Sequence, residues 1–452
     1  MAEANKGPLD GLRVIEMAGI GPAPFCAMLL ADLGADVLRI ERPDAAGRGV
    51  RLPPRLDLLQ RNKRSVALDL KSSAGQAAMD ELVGRADVLL EGFRPGVMEK
   101  LGLAPDRCLA RNPRLVYGRM TGWGQDGPLA PTAGHDLNYL ALAGILHGIG
   151  QADGPPTIPY NVVGDFGGGA LYLALGVLAG VLEARRSGLG QVVDAAIVDG
   201  VASLLSLELA LRAAGGSATG RGRGLLNGGA PSYNVYETLD GRYLSVAPLE
   251  DRFYAELLQR LGPQAAGLPA RDDPAAWPAL QEGLARIFRS RTQAEWCARF
   301  EGSDACVAPV LDIDQSMAHP HNVARQTYVR ADGIEQASPA PRFSRTPATL
   351  RRGPPQPGAD TVQALLDWGL AAAQVAALAQ GAAPRGDSER GDHERGDPER
   401  GDPNRVDPER GDPERGNPER GNPERGDPKR GGSALGDSER GDAGAGAGRS
   451  SS

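Results

Sequence analysis

Between Leu12 and Met120 short apolar runs alternate with stretches of helical length, and no other feature of the sequence restricts the fold as tightly. Leu12-Arg13-Val14-Ile15-Glu16 reads as a strand, Pro22 to Leu33 as an apolar helix closed by Gly34, and Asp36 to Ile40 as a second strand. Ser65 to Leu70 is strand-like, and Ser72 is placed to cap a helix that runs to Arg85. Asp87 to Glu91 and Leu115 to Met120 add two further strands. Strands separated by helices are joined by crossovers, so the expectation is an α/β fold with a mostly parallel, doubly wound sheet. Gly19-x-Gly21 follows the first strand and Glu41 ends the second, as in dinucleotide-binding folds. Pro24 stands where the third glycine should be, however, and a tight strand-to-helix turn accounts for the pair.

Size and charge narrow the partners. A chain of 452 residues, 41% of them hydrophobic, can bury a large core and divide into two or three domains. A net charge of −7 is not the footprint of a general nucleic-acid binder, so no nucleic acid is expected as a partner. Cys26, Cys108, Cys297 and Cys306 are widely spaced with no C-x-x-C pair, and the N-terminal residues read as neither signal nor transit peptide; the expected location is cytoplasmic. Phe166 to Leu182 is uncharged but falls short of the ~20 residues that a membrane span needs. With Asp165, Glu183, Arg185 and Arg186 at its ends it reads as a buried helix of a soluble core, with no membrane partner.

The chemistry concentrates between Gly134 and Arg186. Gly134-His135-Asp136-Leu137-Asn138-Tyr139 is followed by Gly164-Asp165-Phe166-Gly167-Gly168-Gly169. His135 and Asp165 are too far apart in sequence to share a helical face, so they cooperate only if the fold brings two elements together. Backbone amides at a glycine-rich helix start can hold developing negative charge, and an acid-base pair beside such a start is what proton abstraction next to a carbonyl requires. Taken singly, Asp165 also reads as a helix cap, His135 as a loop histidine and Glu250 as a helix-start carboxylate. Arg39, Arg42, Arg48, Arg51, Arg55 and Arg61-Asn62-Lys63-Arg64 form a basic region suited to phosphate, with a solvated surface loop as the competing reading. Arg94 follows a strand end, on the edge where doubly wound sheets bind ligands. His319-x-His321 has no carboxylate or cysteine at ligand spacing, so no metal is expected.

Leu12 to Pro43, Asn62 to Lys71, Glu91 to Gly96, Thr121 to Pro128, Gly134-His135-Asp136 and Gly164 to Gly169, in this order, resemble the racemase branch of the family III CoA-transferase (CaiB/BaiF-like) superfamily. The likeness extends from about residue 8 to 350 through Gly228 to Pro231, Pro248-Leu249-Glu250, Ala318 to Asn322 and Pro341 to Ser344. It implies a Rossmann-like doubly wound large domain, a smaller α+β domain and an interlocked homodimer. The implied boundaries are 1–186 for the N-terminal part of the large domain, 187–224 for a linker and 225–312 for the small domain. A return segment to the large domain would follow at 313–352 and a C-terminal helical extension at 353–385. It also implies an acyl-CoA substrate and inversion at the alpha carbon of 2-methyl-branched thioesters, by two-base proton transfer through an enolate. No cofactor is implied beyond the coenzyme A carried by the substrate. The catalytic pair would be His135 and Asp165, with Glu250 holding the histidine. Coenzyme A would be bound by Arg42, by Leu68, Asp69, Leu70 and Lys71, by Arg94, and by Gly134, Asp136, Leu137, Asn138 and Tyr139.

His135, with an intrinsic pKa near ~6.5, and an aspartate raised by burial suit a two-base exchange near neutral pH. Two other classes stay open: a CoA-transferase, in which Asp165 forms an anhydride and no second base is needed, and a non-catalytic acyl-CoA binder. From about Gly386 to residue 452 the chain is a five-residue Arg-Gly-Asp-Pro-Glu repeat with variants, too polar and proline-rich to bury a core, and is expected to be disordered.

Overall fold

Six parallel strands, Arg13–Met17 (β1), Asp36–Glu41 (β2), Arg64–Ala67 (β3), Val88–Glu91 (β4), Val116–Thr121 (β5) and Val192–Ala196 (β6), pair in the order β3-β2-β1-β4-β5-β6. The computed structural model describes residues 7–43, 52–215 and 220–381, so Arg48, Arg51 and the pentapeptide repeat lie outside the described residues. Alternate residues of β1, β2, β4 and β5 enter different cores, as a sheet covered on both faces requires. Val14, Val37, Val88 and Val116 face helix α1 (Pro22–Asp32) and the long helix ending at Ser187. Ile15, Leu38, Leu89 and Tyr117 face helix α2 (Ser73–Val83) and the C-terminal helices. Ser72 caps α2 as expected, its hydroxyl accepting from the Gly75 amide at 3.0 Å.

Two expectations change, and the C-terminal helical extension finds its place. Residues 187–224, expected as a linker, supply β6 at the sheet edge and the helices Ile197–Leu204 and Ser206–Ala213. The strand expected to reach Leu70 stops at Ala67, because the chain turns at Asp69, whose side chain accepts the Lys71 amide. The extension beyond residue 353 is part of the large fold. The Ser65 and Ala67 amides on the outer edge of β3 donate to Asp360 and Thr361 at 3.0 Å, and Leu365, Trp368 and Val375 complete the second core. An open strand edge is thereby covered.

Asn234–Glu237 (β7), Tyr243–Val246 (β8) and Val307–Pro309 (β9) form an antiparallel sheet. Its core of Leu244, Leu257, Leu284, Phe288 and Trp296 is separate from the other two. Tyr328–Ala331 (β10) and Ile334–Ala337 (β11) make a hairpin in the return segment. Arg61 anchors that segment through Gln336 and the Ala337 carbonyl, and Asn62 anchors it through the amides of Arg351 and Arg352.

Four of the six described cations of the basic region are tied up inside the fold. Arg39 pairs with Glu41, Arg61 with Asp32, and Arg64 with Asp36 and Asp367. Lys63 lies fully buried 2.6 Å from an equally buried Glu16 and donates to the Pro24 carbonyl at 2.9 Å. Burial pushes the Glu16 carboxyl up and the Lys63 ammonium down, and each charge opposes the other's shift. Removing one member strands a charge in the core, so Lys63→Met should cost about 3–5 kcal/mol in urea unfolding. The double variant Lys63→Met with Glu16→Leu should recover a large part of that loss. Equal losses in single and double variants would show that packing, not charge pairing, matters there.

Candidate active site

In a parallel sheet every strand ends on the same edge, and the order found here places neighbours β1 and β4 at the point where the winding reverses. The Gly19-Ile20-Gly21 turn leaves β1 at that point and Arg94 follows β4. Gly21 has φ 73°, a conformation that favours glycine, and a side chain there would come within 3.6 Å of the Asp165 carboxylate. Gly21, the second of the glycine pair considered for a dinucleotide, therefore lies against Asp165. Glu41, which would bind a ribose in such a fold, is buried against Arg39 and the Ser65 hydroxyl.

Asp165 does not lie in the first turn of an ordinary helix. Val162–Ala170 is wound as a π-helix and continues as an α-helix through Leu171–Ser187. Wide turns of this kind are rare and occur mostly at functional sites. The buried Gly164, Gly168 and Gly169 let the wide coil pack closely, the last two against Val201 and Ile197, and Phe166 stacks on Phe25 of α1 with ring centroids 4.3 Å apart. Along the helix beyond, Leu173, Val177 and Val181 are buried, whereas Leu171, Leu175 and Leu182 are exposed. The segment was expected as a buried helix; it is buried on one face only. Val162–Ser187 is also long and apolar enough to cross a membrane by length and composition.

His135 precedes the helix Asp136–Ala143 and is exposed, its own amide donating to Asn138 at 3.1 Å. Asp136 connects the two halves of the site. One of its carboxylate oxygens accepts the Asp165 amide at 2.7 Å, and the Gly164 amide also bonds this carboxylate. A carboxylate beside His135 thus caps the helix that carries Asp165, an arrangement favoured by the helix dipole. Two of the amides expected to hold developing charge near Asp165 are consequently occupied.

Burial raises the pKa of the half-buried Asp165; a hydrogen bond from Asn161 at 3.2 Å opposes this, the Asp136 charge adds to it, and His135 opposes it. Histidine and aspartate are therefore within electrostatic reach of each other. Tyr139 lies beneath them, its hydroxyl bonded to the Gly134 carbonyl and its ring edge-on to Trp123 at 4.7 Å. Gly122 is needed for this fit, because any Cβ there would overlap the Tyr139 ring. The phenol is raised first by burial and then by Asp165, with Arg94 opposing, which places Arg94 at the same rim.

The remaining predicted residues divide into three groups. Arg42, Asp69, Lys71, Arg94, Leu137 and Asn138 are exposed at or beyond the relevant strand and helix ends. Leu68 and Leu70 point into the core, which leaves their backbone as the only contact they can offer. Glu250 stands at the N-cap position of Asp251–Leu261 in the small sheet region without a side-chain capping hydrogen bond, and among the described residues no hydrogen bond or ion pair joins it to His135. Asn161 was not foreseen. Its signal was the i to i+4 spacing to Asp165, which puts both on one helical face.

A model of the family described as CoA-transferase family III matches residues 9–361. An alpha-methylacyl-CoA racemase of Mus musculus is 44% identical over 370 residues, covering 81% of this chain and 95% of that protein. The Homo sapiens protein of the same name is 42% identical over 351 residues, covering 76% and 90%. Among solved structures, a CAIB/BAIF family protein from Brucella suis superposes with a TM-score of 0.69 at 26% identity, covering 80% of this chain and all of the other.

The position of Asp136 predicts how Asp165 titrates. A neighbouring negative charge disfavours ionisation and a positive one favours it. The Asp165 carboxyl, followed by carbon-detected NMR, should titrate above the ordinary aspartate value of ~3.9. Its midpoint should fall in Asp136→Asn and rise in His135→Ala. An unchanged midpoint in both variants would separate the three groups electrostatically.

Proposed function

The chain belongs to CoA-transferase family III, and from that premise we infer that it is an alpha-methylacyl-CoA racemase, inverting the alpha carbon of 2-methyl-branched acyl-CoA thioesters. The observation that carries the reading is the convergence of an exposed histidine and a half-buried carboxylate of raised pKa, held together through Asp136. The 42% and 44% identity to proteins named for this activity supports it.

One of the two groups takes the alpha proton, the electron pair moves into the thioester carbonyl as an enolate, and the other group returns a proton to the opposite face. The overall reaction leaves the enzyme with its protons exchanged between His135 and Asp165, ready for the reverse direction. Burial and the Asp136 charge keep Asp165 basic enough to accept a proton and acidic enough to return it. With the Gly164 and Asp165 amides engaged by Asp136, the enolate oxygen is assigned to the amides of Asp136 and Leu137. As first-turn amides of Asp136–Ala143 they have no intrahelical acceptor. Arg94 and Arg42 are assigned to the phosphates of coenzyme A.

We assign the partner of His135 to Glu250 of a second copy of the chain, since among the described residues of one chain no hydrogen bond or ion pair joins the two, and the working enzyme is therefore proposed as a homodimer. The exposed leucines at 171, 175 and 182 are the surface that such a partner would cover. In solution the chain should have twice its monomer mass by light scattering, and Leu175→Asp with Leu182→Asp should shift it to monomer with loss of turnover. A fully active monomer would contradict this assembly.

Incubation of either enantiomer of a 2-methylacyl-CoA in deuterated water, with no added metal or cofactor, should give alpha-deuterium in both enantiomers. His135→Ala and Asp165→Ala should each lower turnover ~10²- to 10⁴-fold, the usual worth of a positioned acid or base. Transfer of CoA to a free carboxylate without exchange, retained in His135→Ala, would identify a transferase that uses Asp165 as nucleophile.

A further inference from the structure

Outside the acid-base site, one guanidinium holds both ends of a loop that ends at the site. Arg119 of β5 is 9% exposed; its Nε donates to Glu91 at 2.9 Å and its Nη1 lies 3.0 Å from Glu99. Glu91 and Arg119 are register partners on adjacent strands, and Glu91 is fully buried. The other Glu91 oxygen accepts the Phe93 amide at 2.7 Å. Glu99 belongs to the short helix Val97–Lys100, whose first amide donates to the Arg94 carbonyl at 3.2 Å. Arg94 therefore sits between two anchors, Phe93 before it and the helix carrying Glu99 after it, and both lead to Arg119.

Packing alone does not call for charges here, since apolar side chains of similar volume commonly replace a buried ion pair without loss of stability. What charges supply and apolar side chains do not is direction. The fork of the guanidinium orients Glu91 toward Phe93 and holds the exposed Glu99 carboxylate at 3.0 Å. Arg94 itself is exposed and carries no such orientation of its own.

We propose that Arg119 is a positioning residue for coenzyme A: through Glu91 and Glu99 it fixes the loop that presents Arg94 to the nucleotide end of the substrate. The proposal rests on the assignment of Arg94 to the coenzyme A site. Arg119 touches no substrate atom and takes no part in proton transfer, so its effect belongs in binding, equally in ground and transition states.

Steady-state constants for a 2-methylacyl-CoA and for the matching pantetheine thioester, which lacks the nucleotide, test this. Arg119→Met leaves Glu91 buried without its partner and can fail by unfolding, so Glu99→Gln, which leaves the Glu91 pair intact, is the decisive variant. It should raise KM for the CoA thioester ~3- to 10-fold, the usual net worth of one lost hydrogen bond at a partly exposed site. Its kcat, and both constants for the pantetheine thioester, should stay within about twofold of the parent, a change too small to register as a lost interaction. Combined with Arg94→Ala, it should add nothing to the loss from Arg94→Ala alone, because both act through one contact. Arg119→Lys, which keeps the charge but not the fork, should fall between Glu99→Gln and Arg94→Ala. Additive losses, equal losses with both thioesters, or a parental KM in Glu99→Gln beside a raised KM in Arg94→Ala would each overturn the role of Arg119. A parental KM in Arg94→Ala would remove Arg94 from the site, and the proposal with it.

Discussion

A sheet made only of parallel strands forces every connection to cross back over a face, and that constraint organises this molecule. Each crossover starts on the edge where strands end, so the turns after β1, β2, β3, β4 and β5 all emerge together. Residues as distant in sequence as Gly21, Arg42, Lys71, Arg94 and Gly122 reach one rim for that reason alone. The reversal of winding between β1 and β4 leaves a crevice there, and the π-helical turn carrying Asp165 closes on it.

Charge is distributed in two ways around this frame. Beneath the rim, Glu16 with Lys63, Asp32 with Arg61 and Glu91 with Arg119 are buried pairs. Buried pairs add little net stability over apolar packing, yet they are directional, and each joins segments far apart in sequence. At the rim itself Arg42, Lys71 and Arg94 are exposed, and the racemase reading assigns cations there to phosphate. A stretch that reads in sequence as one basic loop thus divides into a structural part and a ligand-facing part.

The long helix that carries Asp165 serves two surfaces. Its small residues and one row of leucine and valine close the first core, while the opposite row of leucines stays exposed. In the proposed homodimer a second copy covers that row and contributes Glu250, so subunit assembly and completion of the site would be one event. Such a coupling makes activity depend on chain concentration wherever the dimer is in equilibrium with monomer.

Local order was legible from the residues. Alternating apolar runs fixed β1, β2, β4 and β5 to within a residue or so, because strand period and helix caps depend on neighbours only. His135 and Asp165 were recognisable as chemical groups, and the ordered motifs identified the family. What the sequence could not decide was who meets whom. That β6 would arise from an apparent linker, and that residues beyond 353 would cover the edge of β3, follows from hydrogen bonds offered by strands already paired. That Asp136 would face the Gly164 and Asp165 amides, and that Lys63 would be buried against Glu16, follows from where the crossovers place those backbones. Spacing along a chain encodes period and capping. The partner of a charge is chosen by packing and desolvation, and those exist only once the chain has folded.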